Sequence, residues 1–80
     1  MDDTQEQEVL RLLIDVCGTD AITSERDVDL FDAGLLDSLG VTQLLVSFED
    51  DLGIKVPPTS VERDEISTVN RVLTFVEERR

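Results

Sequence analysis

The residue of this chain best placed to do chemistry is Ser38, which lies in the segment GLLDSL at 34–39, just before a long amphipathic run. A hydroxyl at the start of a helix lies among outward-pointing backbone N–H groups at the positive end of the helix dipole, where a phosphate is stabilised. The sequence contains no His and one Cys, so it offers little that could activate a serine as a nucleophile. The pattern therefore predicts that Ser38 is modified and that the chain is not an enzyme.

The single cysteine, Cys17, falls on the apolar face of the first predicted helix, and no cation flanks it. We expect it to be a small core residue rather than a reactive thiol. With one cysteine, no intramolecular disulfide can form. This composition favours a reducing compartment.

Three acidic residues that lie close together in the following segment suggest a calcium-binding loop: Asp27, Asp29 and Asp32. A calcium loop requires Gly at its sixth position and Glu at its twelfth. Counted from Asp27, those positions hold Asp32 and Ser38. The sequence therefore predicts no metal site.

The net charge of the chain is −12, from 19 acidic and 7 basic residues. Such a surface repels nucleic acid and anionic lipid, and it attracts basic patches on protein partners. Acidity could equally serve only to keep a small protein in solution.

No apolar run approaches the ~20 residues that span a bilayer, and residues 1–6 lack the basic and apolar regions of a signal peptide. We expect a cytoplasmic protein that neither binds nucleic acid nor inserts into a membrane.

The first periodic segment, 4–17, predicts a helix with apolar residues at i, i+3, i+4 and i+7. Thr4 followed by Gln7 is typical of a capping box, and Gly18 predicts the end of the helix. The apolar stripe contains Leu10, Leu13, Ile14 and Cys17, widened by Val9 and Val16.

Residues 18–37 show no sustained period and predict a long loop, which in a compact domain usually carries function. Gly34 is predicted to adopt a positive φ for a tight reversal before the next helix. We expect the apolar side chains of the loop to hold it against the core: Ile22, Val28, Leu30, Phe31, Leu35 and Leu36.

A second helix is predicted over 38–52, with Asp37 as its N-cap and Gly53 at its C-terminal end. Leu39 and Val46 lie off its core stripe, on the flank nearest Ser38, and exposed apolar side chains there indicate a docking surface. We expect four residues to contact partners: Leu39, Val46, Leu36 and Gln43. The core stripe consists of Val41, Leu44, Leu45, Phe48 and Leu52.

The remainder of the chain predicts a short element and a final helix. The Pro-Pro pair at 57–58 interrupts helical structure, and a short turn or helix is expected over 59–64. The last helix is predicted to begin near Ser67 or Thr68, both good N-caps, and to end in the arginines at 79–80, which favour the negative end of the dipole. Its core stripe is Val69, Val72, Leu73 and Val76.

Three main helices, one short helix and a long loop between the first two main helices predict an all-α fold, a small four-helix bundle. The chain has 80 residues and shows no repeat or linker. We therefore expect residues 1–80 to form a single domain and the protein to be a monomer.

Three segments of the chain, 34–39, 41–45 and 48–54, resemble the acyl and peptidyl carrier proteins. In that family, the serine of the Asp-Ser-Leu motif carries 4'-phosphopantetheine through a phosphodiester. The resemblance implies covalent attachment of this group to Ser38 by a phosphopantetheinyl transferase. It also implies that Asp37, besides capping the helix, helps to bind the metal and the transferase during attachment.

Within that family, residues 29–38 and 61–70 are similar to the subgroup that serves D-alanylation of lipoteichoic acid in the Gram-positive cell wall. The early second helix also lacks the acidic residues that are usual in fatty-acid carriers. The resemblance implies that the thiol of the group holds D-alanine as a thioester. An ATP-dependent D-alanine–carrier protein ligase would load it, and a membrane acyltransferase would receive the cargo.

The sequence leaves two other classes of function open. A fatty-acyl, polyketide or peptidyl carrier would bear the same group with a different cargo. An acidic helical adaptor, or a mimic of nucleic acid, would bear no group at all.

Overall fold

The computed structural model describes residues 2–79, and in that part of the chain all regular structure is helical. The three α-helices are α1 (Asp3–Cys17), α2 (Ser38–Leu52) and α3 (Val69–Arg79). Three short 3-10 turns connect them, at Ala21–Ser24, Pro58–Ser60 and Arg63–Ile66. The predicted all-α fold is confirmed, with 3-10 turns where a fourth helix is expected.

Helix α1 begins one residue earlier than its sequence pattern predicts. The Asp2 carboxylate accepts a hydrogen bond from the Gln5 N–H at 2.8 Å, so Asp2 is the N-cap. The predicted Thr4–Gln7 capping box is wrong, because Thr4 lies inside the helix. A charged carboxylate at the positive end of the dipole makes a strong cap. The helix ends at Gly18, as predicted.

The buried face of α1 is centred elsewhere than the predicted stripe. Val9, Leu12 and Leu13 are buried, whereas Leu10 and Ile14 are only partly covered. Apolar residues extend around about half of α1, so the sequence pattern alone does not specify which part of that surface is buried. The packing of the other helices against α1 determines it.

The long loop between α1 and α2 is held against the start of α3. The Leu30 N–H donates to the Ser67 carbonyl at 2.7 Å, and the Asn70 N–H donates to the Arg26 carbonyl at 3.1 Å. Of the expected loop contacts with the core, Ile22, Leu30 and Leu36 are buried and Phe31 and Leu35 are partly buried. Val28 is 40% exposed, so the prediction that it packs against the core is wrong.

A tight turn connects the end of the loop to α2. The Asp29 carboxylate accepts hydrogen bonds from the N–H groups of Phe31 (2.9 Å) and Asp32 (3.1 Å), which is the usual role of Asp in a turn. Gly34 has φ 74°, confirming the predicted reversal. The N–H groups of the next two residues then donate to the Leu30 carbonyl. This geometry directs Leu36 into the core and leaves the two residues after it exposed.

Helix α2 has the predicted bounds. Gly53, with φ 70°, donates its N–H to the Glu49 carbonyl, and the Ile54 N–H donates to the Phe48 carbonyl. These bonds use carbonyls that the end of a helix leaves without an intrahelical partner. Leu44, Leu45 and Phe48 are buried, and Val41 and Leu52 are partly buried against the same core.

The short element expected over 59–64 consists of two separate 3-10 turns. Helix α3 follows, with the Thr68 hydroxyl accepting from the Arg71 N–H at 3.1 Å, which confirms Thr68 as its cap. Phe75 is buried on α3, although the predicted stripe omits it, and its ring lies 6.3 Å from that of Phe48. The predicted contribution of Arg80 to the last turn lies outside the described residues.

Candidate functional site

Ser38 is the first residue of α2, and its side chain is exposed. The N–H groups of Ser38 and Leu39 precede the first intrahelical hydrogen bond, which the Val41 N–H donates to the Asp37 carbonyl at 2.8 Å. The hydroxyl therefore lies at the positive end of the helix dipole, where backbone donors remain available. This is the position that the sequence predicts for a phosphate-bearing serine.

Asp37 is the N-cap of α2, as predicted. Its Oδ1 accepts a hydrogen bond from the Gly40 N–H at 2.8 Å. The residue remains exposed, as does Ser38 next to it. Capping thus fixes the direction of the backbone at Ser38 without covering the hydroxyl.

Gly40 allows the start of α2 to lie close to α1 and to the loop. A Cβ at this position would approach Leu36 Cδ1 at 3.1 Å and Val16 Cγ1 at 3.2 Å. The glycine is buried in this contact. The absence of a side chain two positions after Ser38 therefore allows this close approach without displacing Leu36 or Val16.

The Ser38 side chain opens onto a groove between the start of α2 and the segment 58–66. The groove, hereafter the Ser38 groove, is lined by both apolar and polar side chains. The polar lining residues besides Ser38, here called its rim, are Asp37, Thr42, Glu62 and Arg63. The apolar lining residues, here called its floor, are Phe31, Leu36, Val41, Pro58, Val61 and Ile66.

Arg63 is held at one side of this groove by Phe31. Its guanidinium carbon lies 4.3 Å from the centre of the Phe31 ring, within the range of a cation–π contact. Arg63 is not among the site residues that the sequence predicts, because Arg63 and Phe31 are 32 positions apart in the chain and meet only in the fold. Two signals were available: the rarity of basic residues before this position, and its place in the segment 61–70 on which the resemblance to the D-alanylation subgroup rests.

The outer face of α2 carries exposed apolar side chains next to Ser38. Leu39 is 67% exposed and Val46 is 52% exposed. Gln43 is also exposed on this helix. These three side chains are available to a partner, and their role as contacts stays a prediction.

Leu36 differs from the other predicted partner contacts. It is only 4% exposed and belongs to the hydrophobic core. A side chain covered to this degree offers almost no area to another protein. The structure thus corrects the prediction for Leu36, which supports the Ser38 groove from beneath.

Cys17 is partly buried against the core and is not in the Ser38 groove. Burial raises the pKa of its thiol, which lowers the fraction of reactive thiolate.

Among the described residues, no group of three or more His, Cys, Asp or Glu side chains could hold a metal ion. Over the same span, no helix is long and apolar enough to cross a bilayer.

Comparisons with known proteins identify the class to which this helical fold and serine site belong. The family described as "Phosphopantetheine attachment site" matches residues 7–76. The chain is therefore a carrier domain that bears covalently attached 4'-phosphopantetheine, and it is a carrier rather than a catalyst.

Curated relatives specify the family more narrowly. The chain is 44% identical over 73 residues to a D-alanyl carrier protein of Bacillus velezensis, covering 91% of this chain and 94% of the relative. It is 42% identical over 72 residues to a D-alanyl carrier protein of Enterococcus faecalis, covering 90% and 92%. It is 44% identical over 77 residues to D-alanyl carrier protein 1 of Lactiplantibacillus plantarum, covering 96% and 94%. The chain belongs to the D-alanyl carrier protein family.

The residues present fit a phosphopantetheine group. A phosphodiester needs an accessible hydroxyl, and Ser38 supplies one at the start of α2. Backbone N–H groups at that end of the helix favour the negative charge. The adjoining groove combines apolar surface with one cationic side chain, Arg63, among its lining residues. These features suit a long, partly apolar arm that carries a phosphate at its attached end.

Proposed function

We propose that Ser38 carries 4'-phosphopantetheine and that the loaded arm holds D-alanine for transfer to lipoteichoic acid. The observation that carries the proposal is the exposed Ser38 hydroxyl at the first position of α2, in a chain whose relatives are D-alanyl carrier proteins. When bound, the group supplies a terminal thiol that holds an acyl group as a thioester.

The protein's own residues position and present this arm. Asp37 caps α2 and thereby fixes the backbone from which the Ser38 side chain extends. The loop is fastened to α3 on one side and to the core on the other, so the start of α2 has a defined position. An arm attached there reaches its partners at high effective concentration, while the protein surface determines which partners bind.

Partner enzymes follow from the nature of a carrier. We infer that a phosphopantetheinyl transferase modifies Ser38, that an ATP-dependent ligase loads D-alanine, and that a membrane acyltransferase receives it. Leu39, Gln43 and Val46 form the surface on α2 that these enzymes contact. The acidic net charge of −12 favours partners with basic rims around the contact.

The same proposal places the protein in the cytoplasm as a monomer. Residues 1–80 form one carrier domain in this account. A small polar cargo gains little from burial in an apolar cavity, so the alanyl group is expected to stay in solvent rather than within the helices.

A loading assay tests the cargo. The modified protein is incubated with ATP and the ligase specific for D-alanine, and acylation is followed by intact mass. The account predicts acylation by D-alanine and not by L-alanine. In parallel, fatty-acyl donors are offered with their own ligase, and acylation by those donors alone would replace D-alanine with a fatty-acyl cargo.

An unmodified adaptor is excluded by a simpler experiment. Incubation with coenzyme A and a phosphopantetheinyl transferase must add one phosphopantetheine to the wild-type chain. Ser38→Ala must abolish that gain in mass, whereas Ser47→Ala on the same helix must retain it. An adaptor would gain no mass in any of the three proteins.

A further inference from the structure

The Ser38 groove contains one positive charge among several negative ones. Asp37 and Glu62 line it together with Arg63, and Asp32 lies nearby. Of the basic residues that the structure describes, Arg63 is the one that lines the same groove as the candidate attachment residue, Ser38. A cation in the groove onto which Ser38 opens is suited to offset the charge of a phosphate carried by that serine.

Arg63 contacts Phe31 and Asp32, but these contacts leave its hydrogen-bond donors largely unused. The guanidinium carbon lies 4.3 Å from the centre of the Phe31 ring, within the range of a cation–π contact. Its nearest carboxylate oxygen, on Asp32, is 4.0 Å away, too far for a hydrogen bond. Both side chains of that pair are more than half exposed (64% and 81%), so water screens their attraction strongly. Within residues 2–79, none of the hydrogen bonds of the structure uses the Arg63 guanidinium.

We propose that the Arg63 guanidinium binds the phosphodiester of the arm carried by Ser38 and so directs the arm along the Ser38 groove. The inference rests on the proposed attachment at Ser38. Arg63 is a positioning residue in this account. It orients the arm and takes no part in acyl transfer.

Charge complementarity supports this occupant of the groove. The phosphodiester adds a negative charge beside Asp37 and Glu62, and a nearby cation offsets the repulsion between them. A guanidinium presents several N–H donors in one plane and can bind two phosphate oxygens at once, which a lysine ammonium does not do in the same geometry. The cation–π contact with Phe31 keeps the guanidinium at the groove before the phosphate arrives, so less side-chain freedom is lost on binding.

The floor of the groove suits the part of the arm that follows the phosphate. That part of phosphopantetheine bears two methyl groups on a branched carbon, and the groove floor is formed largely by aliphatic side chains, among them Val41, Val61 and Ile66. Apolar contact there adds to the ionic contact at the rim. Neither Leu39 nor Val46 lines the groove. An arm lying in the groove therefore leaves these two exposed side chains on the outer face of α2 uncovered.

Two NMR measurements on the full chain test the proposal after intact mass has shown that one group is attached. The first compares the ¹H–¹⁵N resonance of the Arg63 Nε–H before and after modification. We expect a shift at Arg63 that decreases as salt is added, because screening weakens the contact, and no comparable shift at Arg71. The second records the ³¹P resonance of the attached group in wild type, Arg63→Gln, Arg63→Lys and Arg71→Gln.

Arg71 is the matched control, since it is an exposed arginine that does not line the Ser38 groove. We expect the ³¹P resonance of Arg63→Gln to move towards that of free phosphopantetheine, with Arg63→Lys between it and wild type. Arg71→Gln should match wild type. A ³¹P resonance that is the same in wild type and Arg63→Gln, with no salt-dependent shift at Arg63, would overturn the proposal.

The two hypotheses fail differently. If the mass shows no attachment at Ser38, the proposed function itself is wrong. If attachment occurs, but modification does not shift the Arg63 Nε–H resonance and Arg63→Gln does not shift the ³¹P resonance, only the role of Arg63 is wrong. The Nε–H measurement uses the wild-type chain, so it decides the matter even where a variant folds poorly.

Discussion

The side-chain amide of Asn70 donates a hydrogen bond to the Asp27 carboxylate at 2.7 Å, joining residues 43 positions apart. The Asn70 backbone N–H also donates to the Arg26 carbonyl, so one residue at the start of α3 holds two neighbouring residues of the long loop. Arg63, in the turn before α3, makes a cation–π contact with Phe31 of the same loop. The segment leading into α3 therefore determines where the loop lies, and the loop determines where α2 begins.

The Asn70–Asp27 pair should contribute measurable coupling energy. Asn70→Ala and Asp27→Ala should each reduce the free energy of unfolding by about 1 kcal/mol, the usual value for a hydrogen bond of this kind. The double variant should lose less than the sum of the two, because the second substitution removes a partner that is already absent. Urea unfolding of all four proteins gives the coupling. Strictly additive losses would show that the contact contributes nothing to stability.

Gly40→Ala should destabilise the protein despite the higher helix propensity of alanine. The added methyl would lie 3.1 Å from Leu36 and 3.2 Å from the stiff Val16 side chain. Overpacking of this kind costs about 1–3 kcal/mol of stability. Over most of that range the cost exceeds the gain of about 1 kcal/mol from the higher helix propensity of alanine. Thermal unfolding should show a lower Tm, while Asp50→Ala, an exposed change on the same helix, should not lower it. An unchanged or raised Tm for Gly40→Ala would mean that the contact relaxes easily.

Asp37 allows capping to be separated from recognition by the modifying enzyme. Asp37→Ala removes the acceptor for the Gly40 N–H and should cost about 1 kcal/mol of stability. Asp37→Asn keeps that acceptor and should be nearly as stable as wild type. If the carboxylate also contacts the transferase, Asp37→Asn should still be modified more slowly. Modification of Asp37→Asn at the wild-type rate would restrict Asp37 to capping.

Val46→Asp should affect partner binding and leave the fold intact. Val46 is 52% exposed, so a carboxylate there remains in water in the free protein but is desolvated in an apolar contact. We expect an unchanged Tm, normal attachment of phosphopantetheine and a loss of roughly tenfold or more in the rate of ligase loading. Val28→Asp is the control, because Val28 is also exposed but lies in the loop, outside α2. A fall in Tm large enough to account for the loss of loading would instead show that Val46 acts through the stability of the fold and not through a partner contact.

Local rules predicted the start and end of α2 because the deciding interactions lie within a few residues. Asp37 caps the third residue after it, and Gly53 follows the last turn in the left-handed region. The position of Ser38 follows directly from these. The N-cap of α1 was mistaken for an equally local reason, since Asp2 and Thr4 are both good caps and the charged one is used.

The contacts of the loop could not be read from the sequence in the same way. Nothing local to Asp27 or Phe31 indicates that their partners are Asn70 and Arg63. Likewise, the apolar character of Leu36 does not tell whether it faces a partner or the core, and the fold buries it. Residues that meet across the chain are determined by packing, and periodicity reports only one element at a time.

Site-specific mass spectrometry is the most direct test of the central claim. The chain is modified with coenzyme A and a phosphopantetheinyl transferase, digested, and the peptides are fragmented to find the modified residue. The account predicts phosphopantetheine on Ser38 and on no other serine or threonine. Attachment at a different residue, or an intact chain that remains unmodified under conditions in which a known carrier is fully modified, would contradict it.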